Sequence, residues 1–222
     1  MQAAAQRAKI DPGQVNDVMI GNVLAELGFA KTGRMSLNAA GFPNSTTFHT
    51  MNRQCSSSLQ ALTHVAHSIL VGQIDVGLAG GTESMTRNYG TRGIPVDVSP
   101  ALKESPVKDA RDCLEPMLKT SENVAQRYNV SRQEQDEYSA ESQRRASEAQ
   151  KSGRFADEIV SINARRINEE TKEVGSQMVE NDEGVRHGVT VEKLSSLKPV
   201  LENGYSTAGN SYVFLSHLSR SK

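Results

Sequence analysis

The chain has 222 residues, enough to bury a sizeable core in one domain or in a domain with an insertion. It carries 25 basic and 26 acidic side chains, so its formal net charge of −1 creates no overall field that attracts nucleic acid or an anionic membrane surface. No apolar stretch approaches the roughly 20 residues that span a bilayer. We therefore expect a protein that binds neither nucleic acid nor membranes.

The cysteine content argues against a metal centre and against a disulfide framework. Cys55 and Cys113 are the only cysteines, and their spacing matches no zinc motif. Two thiols are a poor disulfide framework for a chain of this length. We expect a protein of a reducing compartment with no bound metal.

The first ninety residues alternate between strand and helix patterns. Apolar periodicity predicts strands over 15–23, 46–53 and 74–79, and helices over 31–40 and 59–72. Because such alternation with short connections is typical of a parallel sheet covered by helices, we predict an α/β fold.

The composition changes between about residues 88 and 106 to glycine, proline, serine and charged residues, which predicts a loop. The following region is predicted to contain helices over 120–128, 131–151 and 189–197, a strand over 155–162 and turns over 169–175. Ser131 and Glu134 form a capping-box pattern at the start of the long helix. The charged run over 132–137 (RQEQDE) is interpreted as a solvated helix face without chemistry.

Cys55 lies between a predicted strand and the start of a predicted helix. Free backbone N–H groups and the positive end of the helix dipole stabilise a negative charge at this place, which is typical of a nucleophilic thiolate. The small residues 56–58 (SSS) leave room for a substrate carbonyl to approach the sulfur. The alternative is a buried cysteine that acts as a small apolar residue, and the pattern alone leaves both interpretations open.

Two linked motifs resemble the thiolase family. Residues 52–57 (NRQCSS) resemble the thiolase nucleophile motif, and residues 80–85 (GGTESM) follow at the expected distance and resemble the family's GGxESM segment. The resemblance to peroxisomal-type 3-ketoacyl-CoA thiolases continues through 110–113 (ARDC), 116–117 (PM), 120–125 (TSENVA), 182–186 (DEGVR), 197–199 (LKP) and 207–210 (TAGN). Nearly the whole chain up to Asn210 is covered.

This resemblance implies a thiolase-like fold: the N-terminal layered α/β half of a thiolase with an inserted loop domain. It places the N-terminal α/β domain over 1–87, the loop domain and CoA-binding insertion over 88–206, and a return to the core followed by an aberrant tail over 207–222. The dimers of thiolases imply a homodimer that forms through the sheet edge near residues 46–54.

The resemblance also implies acyl transfer through Cys55, which would attack a 3-ketoacyl-CoA, release acetyl-CoA and pass the shortened acyl group to a second CoA. Met117 is then expected to line the acyl and pantetheine pocket, and Arg186 to meet the nucleotide end of CoA, since a guanidinium pairs with phosphate. Ser211 is a further candidate CoA contact, although Tyr212 occupies the place of the family's usual CoA-contacting serine. CoA and acyl-CoA are substrates in this scheme, and no cofactor is permanently bound.

The remaining thiol and imidazole groups receive no catalytic role. Cys113 is interpreted as structural, because the family's second catalytic cysteine belongs to a CxGG motif that this sequence lacks. His64 and His67 are not assigned as the base, which in thiolases comes from a GHP motif. His49 is interpreted as a packing or surface residue.

The sequence departs from the family pattern in several places. Ser58 stands where the family usually has glycine, and Leu118 and Lys119 follow Met117 where a glycine is common. Residues 2–10 (QAAAQRAKI) read like the end of a helix whose beginning lies upstream, and residues 211–222 resemble no thiolase segment. We therefore expect a chain truncated at both ends. The expected cause of the aberrant tail is an unspliced intron, a frameshift or a misplaced gene end. We also expect no measurable thiolysis by the chain alone.

Several functions stay open at this point. The first is a 3-ketoacyl-CoA thiolase of fatty-acid β-oxidation, with a peroxisomal location implied by the family. The alternatives are a non-catalytic truncated thiolase that pairs with full-length subunits, and a biosynthetic acetoacetyl-CoA thiolase. Biosynthetic enzymes often have histidine before the loop methionine, where this chain has Pro116. Condensing enzymes of the ketoacyl synthase type share the nucleophile position but not the NRQCSS and GGTESM pair.

Overall fold

The computed structural model describes residues 1–168 and 170–211. The chain divides into two compact units, residues 1–99 and residues 100–222. The three-part domain scheme implied by the resemblance stays a prediction.

The first unit contains a parallel sheet. In chain order its elements are α1 (Gln2–Ala8), β1 (Asp17–Gly21), α2 (Ala30–Ala39), β2 (Thr47–Met51), α3 (Ser57–Leu70), β3 (Gly77–Gly81) and α4 (Met85–Arg92). The sheet has the order β2-β1-β3 within the described residues, and both pairs are parallel. The predicted α/β alternation and parallel sheet are confirmed.

The central strand β1 supplies the core of this unit on both faces of the sheet. Val18 and Ile20 point to one face, where they pack with Leu37 of α2. Met19 points to the other face and packs with Ala61 and Val65 of α3. This alternation follows from the two-residue period of a strand, and it explains why β1 reads as an almost continuous apolar run.

Two predicted boundaries in this unit are wrong. β3 begins at Gly77 rather than at residue 74, and it includes the glycines that were expected to end it, because its pairing with β1 runs through to Gly81. The predicted loop over 88–106 overlaps helix α4 and also the short helix α5 (Pro100–Lys103) of the second unit. Tertiary contacts hold the polar helix α4: its Arg92 pairs with Glu26 at 3.1 Å and also donates to a backbone carbonyl of the loop that follows β1.

The second unit is mainly helical. After α5 its elements are α6 (Lys108–Asp112), α7 (Met117–Tyr128), α8 (Arg132–Lys151), β4 (Ile162–Ile167), β5 (Val174–Val179) and α9 (Val191–Ser195). The predicted capping box of α8 is confirmed, since Glu134 accepts a hydrogen bond from the Ser131 N–H at 2.8 Å and its own N–H donates to the Ser131 hydroxyl. None of the helices in the described ranges is long and apolar enough to cross a membrane.

The predicted strand over 155–162 is wrong. Residues 152–158 form turns, and the strand β4 begins only at Ile162, where it pairs in antiparallel register with β5. The reason is that the partner β5 sets the register, and the alternation of apolar residues before β4 has no strand to pair with. The predicted turns before β5 and the short helix α9 are confirmed apart from their ends, with Glu169 outside the described residues.

Candidate active site

Cys55 lies in a tight turn between the end of β2 and the start of α3, and it is exposed to solvent. The preceding residue, Gln54, has a φ of 51°, in the left-handed region that a residue with a Cβ rarely adopts. The predicted placement of Cys55 between a strand and a helix is confirmed. The interpretation of Cys55 as a buried apolar residue is wrong.

Two side chains fasten the turn that carries Cys55. The Ser57 hydroxyl, which is almost fully buried, accepts a hydrogen bond from the Arg53 N–H at 2.9 Å and donates one to the Gln54 carbonyl at 2.5 Å. The Asn52 side-chain oxygen Oδ1 accepts a hydrogen bond from the Gln54 N–H at 2.9 Å. The sulfur is therefore presented from a turn that is held on both sides.

Two glycines allow the first turn of α3 to lie directly against the ends of the strands. A Cβ on Gly21, the last residue of β1, would lie 2.4 Å from the Ser57 carbonyl carbon and 2.4 Å from the Ser58 nitrogen. A Cβ on Gly81, the last residue of β3, would lie 2.6 Å from the Ser58 Cβ. Only glycine permits this approach, so these two positions fix where the helix starts and where Cys55 lies.

The start of α3 supplies a positive environment next to Cys55. An α-helix leaves the N–H groups of its first turn without acceptors inside the helix, and these groups carry the positive end of its dipole. The N–H groups of Ser56 and Ser57 donate to the carbonyls of Arg53 and Gln54 within the turn. The following N–H groups, at Ser58 and Leu59, belong to the first turn and suit a developing negative charge on a substrate oxygen.

The loops that follow β1 and β3 are joined by two polar side chains. Buried Asn22 donates from its side chain to the Thr82 carbonyl at 2.7 Å, and its N–H donates to the Met51 carbonyl at 3.1 Å, so it connects the ends of all three strands. The Glu83 carboxylate accepts N–H bonds from Val23, Leu24 and Ser84, each at 3.0 Å.

Asn22, Asn52 and Glu83 received no role from the sequence. The available signal is position: each directly follows a strand, or lies one residue beyond it, at the carboxyl edge of a parallel sheet. That edge is where α/β proteins build their sites.

The histidines of this unit lie away from the turn of Cys55. His49 is on β2, with its Nδ1 3.3 Å from the Asp17 carboxylate and a side chain that is 45% exposed. His64 and His67 are exposed on α3. His64 is seven residues beyond the start of α3, about 10 Å along the helix axis. His49 thus has the surface position predicted for it, and the other two are distant from the first turn.

The other candidate contacts lie in the second unit. Met117 is the first residue of α7 and its side chain is 66% exposed. Arg186 is exposed, and its N–H donates to the buried Gln143 side chain of α8 at 2.9 Å. Ser211 is half-buried, with its N–H bonded to the Thr207 carbonyl at 3.0 Å. Tyr212 lies outside the described residues. The roles of Met117, Arg186 and Ser211 stay predictions.

The face of α8 that is turned inward is polar, and it holds the two segments that carry Arg186 and Ser211. The Ser139 hydroxyl donates to the Gly209 carbonyl at 3.0 Å, and the Ser147 hydroxyl lies 2.6 Å from Nδ1 of His187. Fully buried Asp136 accepts hydrogen bonds from Arg132 at 2.7 Å and from the Asn210 side chain at 2.9 Å. The interpretation of residues 132–137 as a solvated face is therefore wrong for Asp136.

A second buried carboxylate fastens the segment before Asn210. Glu122 of α7 accepts N–H bonds from Tyr205 and Ser206 at 2.8 to 3.0 Å, and Gly204 allows the close approach because a Cβ there would lie 2.8 Å from the carboxylate. The motifs around Glu122 and around Asn210 are thus joined in space.

A cavity of 440 Å³ lies against α8, between the two segments that this helix holds. Its lining combines hydroxyl, amide and carboxylate groups with small residues: Tyr138, Ser139, Ser142, Gln143, Ala146, Asp182, Gly184, Val185 and Asn210. Arg186 directly follows one lining residue and Ser211 another, so the structure brings these two candidate residues to the same side of α8.

Cys113 lies at the C-terminal end of α6, exposed, with its sulfur 3.3 Å from the Asp109 carbonyl. Over residues 1–168 and 170–211 no group of three or more histidine, cysteine, aspartate or glutamate side chains is arranged to hold a metal ion.

Comparison with known proteins identifies the family. Residues 1–213 match the thiolase N-terminal domain. The chain is 41% identical over 213 residues to peroxisomal 3-ketoacyl-CoA thiolase 1 of Arabidopsis thaliana, covering 95% of this chain and 47% of the relative. It is 42% identical over 212 residues to the peroxisomal 3-ketoacyl-CoA thiolase of Yarrowia lipolytica, covering 95% and 50%. The chain thus spans about half the length of these relatives.

Solved structures agree with this result. The dimeric peroxisomal thiolase of Saccharomyces cerevisiae superposes with a TM-score of 0.79 at 38% identity, covering 93% of this chain and 50% of the other. The acetyl-CoA acetyltransferase of Bacillus anthracis gives a TM-score of 0.75 at 31% identity, covering 94% and 53%. The family match and the thiolase-like fold agree with the resemblance carried by the NRQCSS and GGTESM motifs. The chain belongs to the thiolase family and contains its N-terminal domain.

Proposed function

We propose that this chain is part of a 3-ketoacyl-CoA thiolase in which Cys55 accepts the acyl group. One observation carries the proposal: an exposed thiol is presented from a fastened turn at the start of a packed helix, within the motif that resembles the family's nucleophile segment. A structural cysteine needs none of the features that expose and hold this turn.

The reaction proceeds in two acyl transfers. The Cys55 thiolate attacks the C3 carbonyl carbon of a 3-ketoacyl-CoA, a carbon–sulfur bond forms and the C2–C3 bond breaks. The electron pair of the broken bond stays on C2, which takes up a proton and leaves as acetyl-CoA. The thiolate of a second CoA then attacks the Cys55 thioester, which releases the shortened acyl-CoA and restores the thiolate.

The first turn of α3 supports this chemistry on electrostatic grounds. Each attack turns a carbonyl oxygen into an oxyanion, and the N–H groups of a helix start are suitable donors for that charge. The small side chains of residues 56–58 leave the path to the sulfur open. In this proposal Met117, Arg186 and Ser211 contact the pantetheine and nucleotide parts of CoA, and CoA and acyl-CoA are substrates rather than bound cofactors.

The degradative reaction is favoured over the biosynthetic one by the relatives. The named peroxisomal 3-ketoacyl-CoA thiolases are 41% to 42% identical to the chain, and the acetyl-CoA acetyltransferase of Bacillus anthracis is 31% identical. Pro116 before Met117 agrees with this assignment. The same relatives support a role in fatty-acid β-oxidation and a peroxisomal location.

A homodimer through β2 is part of the proposal. β2 is an edge strand of the sheet within the described residues, so its outer backbone groups are available to pair with a second chain. The yeast relative is described as dimeric. The strand ends at Met51, four residues before Cys55, so a partner on this edge would approach the nucleophile turn.

Counting the acetyl-CoA released in a single turnover tests the proposal. The 222-residue chain, its Cys55→Ser variant and its Cys113→Ser variant are mixed with a small excess of acetoacetyl-CoA in the absence of free CoA. Because no free CoA is present, this assay follows only the first acyl transfer, for which the wild-type chain and Cys113→Ser are expected to release up to one equivalent of acetyl-CoA per chain and Cys55→Ser none, even though continuous thiolysis by the chain alone is not expected. Equal release by Cys55→Ser and Cys113→Ser would rule out Cys55 as the acyl acceptor.

A further inference from the structure

Asn52 connects the turn of Cys55 to the loop that follows β1. Its side-chain oxygen accepts the N–H of Gln54 at 2.9 Å, and its side-chain nitrogen donates to the Val23 carbonyl at 3.4 Å, a long hydrogen bond. The side-chain amide of Asn52 therefore links the residue before the nucleophile to the loop that follows β1.

The bond to Gln54 matters because of the backbone at that residue. Gln54 is left-handed at a φ of 51°, and this conformation is unfavourable for a residue with a Cβ. A side-chain acceptor two residues earlier stabilises such a turn by binding its N–H. Without that acceptor Gln54 would relax toward negative φ, which would turn Cys55 away from the start of α3.

Glu83 binds the same loop after β1 to which Asn52 donates. One of its carboxylate oxygens accepts the N–H groups of Val23 and Leu24, both at 3.0 Å. The peptide unit between these two residues thus donates its N–H to Glu83 and accepts from Asn52 through its carbonyl. One peptide unit is held between the two side chains.

We propose that Asn52 is a positioning residue for Cys55 and that Glu83 acts on Cys55 through Asn52. The inference rests on the proposed function in that it takes Cys55 as the nucleophile. It assigns a purpose to the glutamate of the GGTESM segment, which hydrogen bonds through Val23 and Asn52 link to the turn of Cys55 although it is 28 positions away in the sequence.

Alkylation of Cys55 by iodoacetamide measures the placement of the sulfur without using any acyl-CoA. All variants are made in the full chain carrying Cys113→Ser, so that Cys55 is the only thiol. The set is Asn52→Ala, Asn52→Ser, Glu83→Gln and the double variant Asn52→Ala with Glu83→Gln. Asn38→Ala, at an exposed position of α2, is the matched control. Circular dichroism confirms that each variant is folded before its rate is measured.

Asn52→Ala is expected to slow alkylation about fivefold, because the sulfur loses its place at the positive end of α3. Asn52→Ser keeps a neutral acceptor two residues before Gln54 and loses the reach to Val23, so it is expected to stay within about twofold of the parent. Glu83→Gln is expected to slow alkylation about twofold in the parent and to have no further effect in Asn52→Ala, because coupled residues do not add. The control keeps the parent rate.

The proposal is overturned if Asn52→Ala alkylates at the parent rate, if Asn52→Ser is as slow as Asn52→Ala, or if the effect of Glu83→Gln persists in the double variant. If the role of Asn52 were purely structural, Asn52→Ala would lower the unfolding midpoint and Asn52→Ser would not restore the alkylation rate. The same proteins are also given acetoacetyl-CoA. If the parent is alkylated at Cys55 and never acylated, the nucleophile role fails while the positioning role stands.

Discussion

Replacing Gly21 with alanine is expected to push the first turn of α3 away from the sheet. The new Cβ would lie 2.4 Å from backbone atoms of both Ser57 and Ser58, whereas ordinary contact begins at 3.4 Å. Since backbone cannot rotate aside as a side chain can, the turn must move by about 1 Å. Overpacking of this kind costs about 1 to 3 kcal/mol of folding free energy. A displacement of this size at a reacting group lowers the rate of a positioned reaction by up to about 100-fold.

Gly80→Ala is the matched control. It lies in the same sheet, one residue before Gly81, and its Cβ would meet only the Ile20 side chain at 3.5 Å, an ordinary contact. Urea unfolding measures the stability of both variants, and single-turnover release of acetyl-CoA from acetoacetyl-CoA measures the acyl transfer to Cys55. Gly21→Ala is expected to lose both stability and transfer rate, and Gly80→Ala to keep both close to the parent.

The reasoning about the helix start would be refuted by a Gly21→Ala variant that matches Gly80→Ala in unfolding midpoint and in transfer rate. A loss of stability with an unchanged transfer rate would show that the turn of Cys55 does not depend on where α3 begins.

Three further predictions concern the second unit. Glu122→Ala is expected to lower the free energy of unfolding by roughly 2 to 4 kcal/mol, because the N–H groups of Tyr205 and Ser206 lose a charged acceptor. The control variant Glu115→Ala, at an exposed position, should change this free energy little. Equal urea midpoints for the two variants would contradict the role of the buried carboxylate. Asp136→Ala is expected to cost about 3 kcal/mol in the same assay, because half-buried Arg132 and Asn210 lose the buried acceptor that they share. Hydrogen bonds from Arg144 and then Arg145 lower the pKa of Glu141 to about 2, so its stabilisation of α8 is present above its ordinary pKa of 4.5 and is lost as the pH falls toward 2. The difference in unfolding midpoint between the parent and Glu141→Gln should therefore shrink between pH 7 and pH 3, and a constant difference would be evidence against the ion pair.

The sequence predicted best where the apolar period is clear. β1, β2 and α3 follow from residues such as Val18, Met19 and Val65, whose spacing directly reports which side faces the core. The placement of Cys55 between a strand and a helix follows from the same periods. These elements form the part of the fold that presents the nucleophile.

The sequence failed where a buried face is polar. Asp136, Ser139, Gln143 and Ser147 recur at the three- and four-residue spacing of a helix face and are buried, yet their chemistry is that of a solvated surface. Most of their partners are backbone or side-chain groups of distant segments, such as the Gly209 carbonyl, the Arg186 N–H and the His187 ring, and nothing in a local pattern identifies such partners. The charged run over 132–137, which includes Asp136, is for this reason interpreted as a solvated face.

The residues that position Cys55 are not predicted by the sequence for a related reason. Gly21 and Glu83 are separated from Cys55 by about thirty residues on either side, and their roles depend on strands that meet only in the folded sheet. The order β2-β1-β3 brings them to one edge. A linear motif therefore identifies the nucleophile but not the residues that hold it.

Peptide mapping by mass spectrometry after a brief exposure to acetoacetyl-CoA tests the central claim most directly. The sample is denatured in acid, which preserves thioesters, digested, and searched for an acetyl group on the peptides that contain Cys55 and Cys113. The account predicts an acetyl group on Cys55 and none on Cys113, although both thiols are exposed. Equal labelling of the two thiols, or labelling of Cys113 alone, would contradict it.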